Sequence, residues 1–235
     1  MTDTHTHILP GMDDGATTVE ESLRMLRRCR AQGVKTVVLT SHFYPERESA
    51  DSFLERRAQA FAQLQAAVTP DLPRLVLGAE VGWCAGLERM DRLEELTMGQ
   101  TNYLLLELPY MSWTEEQLNG VWSLLEGGRV VPVLAHVDRY LHMQRRGQYE
   151  ALADMRVPMQ LSAVVFRKLL KRRKALKLLS RGQWMIGSDC HNLTDRPPCM
   201  AEAARYLKIR APERMDALNW EFYDCKEPAL QAYEV

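Results

Sequence analysis

Five of the six histidines in this chain stand in short polar motifs: His5 and His7 in DTHTH, His42 in TSH, His136 in LAH and His191 in SDCH. Asp14, Glu80, Glu107 and Asp189 lie in or beside comparable motifs, which makes nine groups able to offer an imidazole or a carboxylate to a cation. A lone histidine at the end of a strand is more often a packed structural residue, and a lone glutamate in LLLELP would merely be odd. The set is different. His-x-His puts two imidazoles on one side of a strand, because side chains alternate with a period of two. Burying the Glu107 carboxylate unpaired would be costly, and coordination to a cation offsets that cost. Imidazole mixed with carboxylate, with no thiolate required, suits manganese, iron, zinc or magnesium better than Cu(I). Nine donors exceed the needs of one tetrahedral ion, so two or three divalent ions are expected.

Such a cluster needs elements that carry distant residues to one place. Short β-rich runs alternate with amphipathic helical stretches, the pattern of βα units and a mainly parallel α/β sheet. Seven strands are expected near 2–7, 34–40, 75–79, 103–108, 130–135, 157–161 and 184–188. Thr17 and Glu20 have capping-box spacing, Val19, Leu23, Leu26 and Arg30 mark one helical face, and Gly33 can close that helix. A second helix over 52–68 stops before Pro70, and Thr114 with Gln117 caps a third that ends at Gly127 and Gly128. The nine candidate ligands fall at the C-terminal ends of these strands, which share one rim in a parallel barrel. His142 is the histidine left out.

Composition narrows the alternatives. At 235 residues a single domain over 1–235 is expected, with no repeat or low-complexity linker. Lys plus Arg at 30 nearly balances Asp plus Glu at 31, so no global field attracts nucleic acid. Five scattered cysteines without C-x-x-C spacing fit a reducing cytoplasm better than a disulfide framework. No apolar run approaches the roughly 18 residues of a membrane span, and the start lacks the blocks of a signal peptide. The segment 167–181, RKLLKRRKALKLLSR, is strongly basic; a solvated helix with core-facing leucines is favoured over weak docking to a membrane surface or acidic partner.

The motifs DTHTHILPGMDDGA, TSH, GAE, LLLELP, LAHVDRY and GSDCHNLTDRPP closely resemble those of the polymerase and histidinol phosphatase (PHP) superfamily. Within it they look like the metal-dependent protein-tyrosine phosphatases of bacterial capsule and exopolysaccharide clusters. The likeness runs from Asp3 to Pro198 in the family's order. It implies a distorted seven-stranded βα barrel, TIM-like, holding three metal ions, commonly manganese. By the same resemblance His5, His7, Glu80 and Asp189 hold the first ion, Glu80, Glu107 and His136 the second, and Asp14, His42 and His191 the third. The resemblance likewise implies that Arg139 and Arg196 bind the substrate phosphate. The implied substrate is phosphotyrosine on a bacterial tyrosine kinase linked to polysaccharide export. Two departures stand out: Phe43, Tyr44 and Pro45 follow His42, and QLSAVVF replaces an Asn/Ser-rich run, leaving Ser162 without an assigned role.

The expected chemistry is in-line attack by hydroxide that metal coordination makes available near neutral pH. Asp13, Asp138 and His142 are weaker candidates for proton transfer, with turn, arginine-partner and exposed-helix readings beside them. Cys190 and Arg196 have the Cys-x5-Arg spacing of thiol phosphatases, but Cys199 and Arg205 repeat it, and HNLTD has no glycine to open a phosphate cradle. Phe43 and Tyr44 could stack on a substrate ring or pack a loop. A histidinol-phosphate-type small-molecule phosphatase and a non-catalytic metal scaffold remain alternatives. Amidohydrolases fit less well, since no lysine ends a strand and Asp14, His42 and Glu107 would go unexplained.

Overall fold

The computed structural model of the chain describes residues 1–140, 142–144, 157–179 and 182–220. Arg181 and Cys225 lie outside the described residues. All seven expected strand regions are present, at β1 (Thr2–Thr6), β2 (Thr36–Leu39), β4 (Arg74–Leu77), β6 (Tyr103–Glu107), β7 (Val131–Leu134), β8 (Met159–Ser162) and β9 (Trp184–Gly187). Two short strands join them, β3 (His42–Phe43) and β5 (Glu80–Gly82). The strands form a three-stranded sheet ordered β1-β2-β4 and a six-stranded sheet ordered β3-β5-β6-β7-β8-β9, with every pairing parallel. Among the described residues the seven expected strand regions are thus divided into nine strands in two sheets.

The extra strands have a local cause. β2 and β4 pair as far as Leu39 and Leu77, and β3 and β5 resume pairing at His42 and Glu80. Across the break the Gly78 N–H still donates to the Leu39 carbonyl at 3.0 Å, and the Glu80 N–H to the Ser41 carbonyl at 3.1 Å. The adjacent threonines stitch the kink: Thr6 N–H donates to Thr40 Oγ1 at 3.0 Å and the Thr6 hydroxyl to the Val38 carbonyl at 2.8 Å. Both chains thus bend together just before the residues that carry His42 and Glu80. Beyond β9, the Asp189 N–H donates to the His5 carbonyl at 2.8 Å and the His7 N–H to the Cys190 carbonyl at 2.9 Å, tying the last strand's end to the first.

Helices α1 (Val19–Ala31), α2 (Ala50–Ala67), α3 (Glu115–Glu126), α4 (Leu169–Leu179) and α5 (Met200–Arg210) pack around these sheets. The first cap is one residue later than expected, because Thr18 rather than Thr17 accepts from the Glu21 N–H at 3.2 Å. Its buried stripe is Ser22, Met25, Leu26 and Cys29, so Arg30 lies outside the core. α2 begins two residues early behind Ser49, and the Thr114–Gln117 capping box forms as expected. On α4, Ala175 and Leu179 are buried while Lys171, Arg173, Lys174 and Lys177 are exposed, so the basic face is solvated as expected, but Leu169 is exposed as well rather than facing the core.

Two glycines let the chain approach β1 closely. A Cβ on Gly187 would lie 2.5 Å from the His5 Cβ and 2.9 Å from its backbone nitrogen; one on Gly15 would lie 2.1 Å from the His7 carbonyl oxygen. Neither backbone neighbour can swing aside. Gly187→Ala and Gly15→Ala are each expected to lower stability by about 1–3 kcal/mol, the usual cost of overpacking, and to reduce retained metal, checked by thermal unfolding and elemental analysis of the purified variants.

Candidate metal centre

The kinked strands deliver their side chains to one point. His5 Nε2 and His7 Nε2 lie 3.1 Å apart, and each faces Glu80 Oε2, at 3.0 and 3.3 Å. Asp189 Oδ1 stands 3.5 Å from both imidazoles. His42 Nδ1 reaches the same Glu80 oxygen at 3.1 Å, while His136 Nε2 lies 2.7 Å from Glu80 Oε1 and 3.5 Å from Glu107 Oε1. Asp14 Oδ1 is 3.5 Å from His42 Nε2 and 3.2 Å from His191 Nε2. All nine expected ligands are brought together. Among the described residues three subsets have donor atoms close enough for a shared ion: His7, Asp14, His42 and His191; His5, His7 and Glu80; and His42, Glu80 and Glu107. These overlap the sets implied by the resemblance but do not divide the ligands identically.

Backbone strain helps to aim two of them. His136 and Asp189 adopt left-handed conformations, with φ of 32° and 54°. Such geometry costs a β-carbon-bearing residue about 1–3 kcal/mol and persists where the surroundings over-determine it. Each sits just beyond a strand, where the turn redirects its side chain across the rim.

The donor chemistry fits divalent cations. Glu80 is 1% exposed, yet its Oε2 makes no well-formed hydrogen bond and neither does buried His191 Nε2. Close nitrogen lone pairs beside a buried carboxylate are repulsive or unsatisfied unless protons or metal ions lie between them. Burial opposes charge on Glu80, but the His5 charge and the facing His136 and His42 imidazoles prevail and hold its carboxyl well below the usual range. Burial likewise opposes protonation of His136, whose bonds to Glu107 and Glu80 nevertheless raise it to about 9. Burial and the adjacent His7 charge push His191 down to about 3, which leaves one ring nitrogen with a free lone pair.

Two residues that do not reach the cluster's centre hold its ligands. Asp13 Oδ2 lies 2.8 Å from His7 Nδ1 and also accepts from the His42 N–H at 2.9 Å, so it orients two candidate ligands. Gln160, which the sequence did not single out, places Oε1 2.8 Å from His5 Nδ1 and donates through Nε2 to Thr4 at 3.0 Å. A polar side chain alternating with buried Met159 and Leu161 on an inner strand was its available signal. Other expectations are corrected. Glu107 is 22% exposed, so Glu80 is the buried carboxylate of the pair. Phe43 packs in the core with its ring 5.0 Å from Phe53, while Tyr44 alone faces the cluster. Of the weaker proton-transfer candidates, Asp138 is buried and accepts from the Ser162 N–H at 2.7 Å, and exposed His142 lies beside Tyr110.

Residues 1–220 match the family described as capsular polysaccharide synthesis, CpsB/CapC. This chain belongs to the CpsB/CapC family. Among curated proteins it is 30% identical over 220 residues to the tyrosine-protein phosphatase CpsB of Streptococcus pneumoniae, covering 86% of this chain and 88% of that one. It is 27% identical over 212 residues to the tyrosine-protein phosphatase YwqE of Bacillus subtilis, covering 83% and 79%. Among solved structures, that reported for YwqE of B. subtilis and CpsB of S. pneumoniae as unique metal-dependent tyrosine phosphatases aligns with a TM-score of 0.72 at 23% identity, covering 90% and 87%. A histidinol phosphate phosphatase of Lactococcus lactis, complexed with zinc, L-histidinol and phosphate, shares the fold at a TM-score of 0.56 and 12% identity, covering 89% and 93%.

In this CpsB/CapC member both candidate arginines converge on Asp189. Arg139 donates to Asp189 Oδ2, and Arg196 Nη2 to Oδ1 at 2.8 Å. Two guanidinium forks at the cluster's edge can meet a phosphate bidentately. The thiol route has no support in the geometry. Cys190 is fully buried, and burial followed by its contact with Cys29 pushes its thiol well above the ordinary value, the reverse of an activated thiolate.

Two outcomes follow for the purified protein. Cation binding must displace the proton that His136 keeps up to about 9, so metal affinity is expected to strengthen as pH rises toward 9, with proton release; calorimetry in buffers of different ionisation enthalpy measures both. Cys190→Ser is expected to retain metal content and most phosphatase turnover; complete loss with metal unchanged would point to the thiol.

Proposed function

We propose that this chain is a metal-dependent protein-tyrosine phosphatase, a phosphoric monoester hydrolase acting on phosphotyrosine of a bacterial tyrosine kinase linked to polysaccharide synthesis and export. The observation that carries the reading is the convergence of His5, His7, Asp14, His42, Glu80, Glu107, His136, Asp189 and His191 on one rim, with Arg139 and Arg196 beside it. The kinship with curated tyrosine-protein phosphatases supplies the substrate class. We assign two or three divalent ions, manganese first, to the nine ligands, in a cytoplasmic protein working as a single domain. Among the described residues no helix is long and apolar enough to cross a membrane. The bonds tying 189–190 to β1 support reading the two sheets as one distorted barrel.

Bound ions would supply an acidified water as nucleophile and neutralise charge on the phosphate oxygens. The chain's own residues do the rest. Arg139 and Arg196 bind and orient the phosphate, trading their contacts with Asp189 for its oxygens and following the charge that develops during displacement. Asp13 and Gln160 keep His7 and His5 turned with their Nε2 atoms toward the cluster. The buried walls around Glu80 keep bulk water from screening these interactions.

A phosphotyrosine peptide and histidinol phosphate, assayed side by side on manganese-loaded protein, test the reading. The peptide is expected to be turned over with the higher kcat/KM, and Arg139→Ala to cut that value by about a hundredfold or more, as loss of a charged hydrogen-bond donor to the transition state does. Preference for histidinol phosphate would reassign the protein to small-molecule hydrolysis. Full metal occupancy with no hydrolysis of either would leave a binding scaffold.

A further inference from the structure

The cluster has an asymmetric wall that the nine ligands and two arginines leave unexplained. After β3 the chain turns at Tyr44, Pro45, Glu46 and Arg47: the Arg47 N–H donates to the Tyr44 carbonyl at 2.9 Å and the Glu48 N–H to the same oxygen at 3.3 Å. Proline suits the second position of such a turn. The turn folds Arg47 back over the residue that starts it, with the guanidinium carbon 4.6 Å from the centre of the Tyr44 ring. That ring is itself fixed. It stacks on His42 at 5.2 Å with 21° between planes, and its hydroxyl donates to Glu107 at 3.3 Å. The missing side chain of Gly82 makes its slot, since a Cβ there would lie 2.6 Å from Tyr44 Cδ1.

The result is an exposed cation held on an aromatic face, one ring away from a cluster histidine, at the edge of a cleft that Met12, Asp14 and His42 also line. Glu48 pairs with Arg56 at 2.8 Å, and among the described residues no carboxylate lies within ion-pair distance of Arg47. A guanidinium ordered in advance by an aromatic face loses less freedom when it binds an anion. The position proposed for the phosphate, at Asp189, already has two guanidinium groups, so Arg47 is left for another anion.

We infer that Arg47, held by Tyr44, is a specificity-determining residue that docks an anionic side chain close to the phosphotyrosine of the substrate peptide. The inference rests on the tyrosine-phosphatase reading above. A peptide laid across the rim in extended form advances about 3.3 Å per residue, so a residue only a few positions from the phosphotyrosine meets the Arg47 fork. A free amino-alcohol phosphate has nothing to offer it.

The test uses metal-loaded enzyme and two phosphotyrosine peptides that differ only in glutamate or glutamine at the positions flanking the phosphotyrosine. Wild-type enzyme is expected to favour the glutamate peptide by about tenfold in kcat/KM, the scale of one charge-assisted contact, with the difference in KM. Arg47→Ala is expected to bring the ratio near one, Arg47→Lys to keep part of it, and Arg47→Glu to invert it. A ratio near one in the wild type, or one that Arg47→Ala leaves in place, overturns the inference while phosphotyrosine hydrolysis stands. So does an equal fall of kcat on both peptides, which would make Arg47 a support of the cluster. Turnover of histidinol phosphate with neither peptide cleaved would instead remove the tyrosine-phosphatase reading and this inference with it.

Discussion

The Glu80 carboxylate is the constraint around which this protein is organised. It is buried, and its two oxygens face imidazole nitrogens of His5, His7, His42 and His136 at 2.7–3.3 Å. A carboxylate so enclosed is tolerable only while positive charge sits between it and the nitrogens. Protons can supply that charge, and divalent ions supply it better because they satisfy several lone pairs at once.

The scaffold spends local regularity to achieve this. The β2–β4 pair breaks and restarts as β3–β5, so that His42 and Glu80 turn toward β1 instead of continuing the pleat of the preceding strands. His136 and Asp189 accept left-handed backbone immediately after their strands. Gly15 and Gly187 give up side chains where β1 is approached most closely. Each irregularity lies within a few residues of a candidate ligand, the distribution expected when strain is retained for a site rather than for the core.

The same arrangement separates the two chemistries that Cys190 and Arg196 suggest when read alone. A phosphatase thiol must be accessible and easily ionised, whereas Cys190 is sealed beneath the rim against Cys29. Arg196 bends over the rim to Asp189, away from any thiol route and beside Arg139. Spacing along the chain placed cysteine and arginine in a familiar register; the fold points them to different environments.

The candidate ligands and the helix–strand alternation were legible in the amino-acid order because both depend on short-range rules. H-x-H marks two side chains on one strand face, a capping box marks the start of α3, and acidic or imidazole residues at strand ends stand out against apolar runs. The shift of the first cap from Thr17 to Thr18 is the small error that such rules carry. The break of two strands at Thr40 and Gly78, the burial of Glu80 rather than Glu107, and the service of Asp13 and Gln160 to their histidines were decided elsewhere. Gln160 touches His5 from 155 positions away, and no periodicity encodes that pairing. The chain by itself determined which groups could bind cations. Only the tertiary structure decided which of them share a charge, because desolvation and distance arise when remote segments meet.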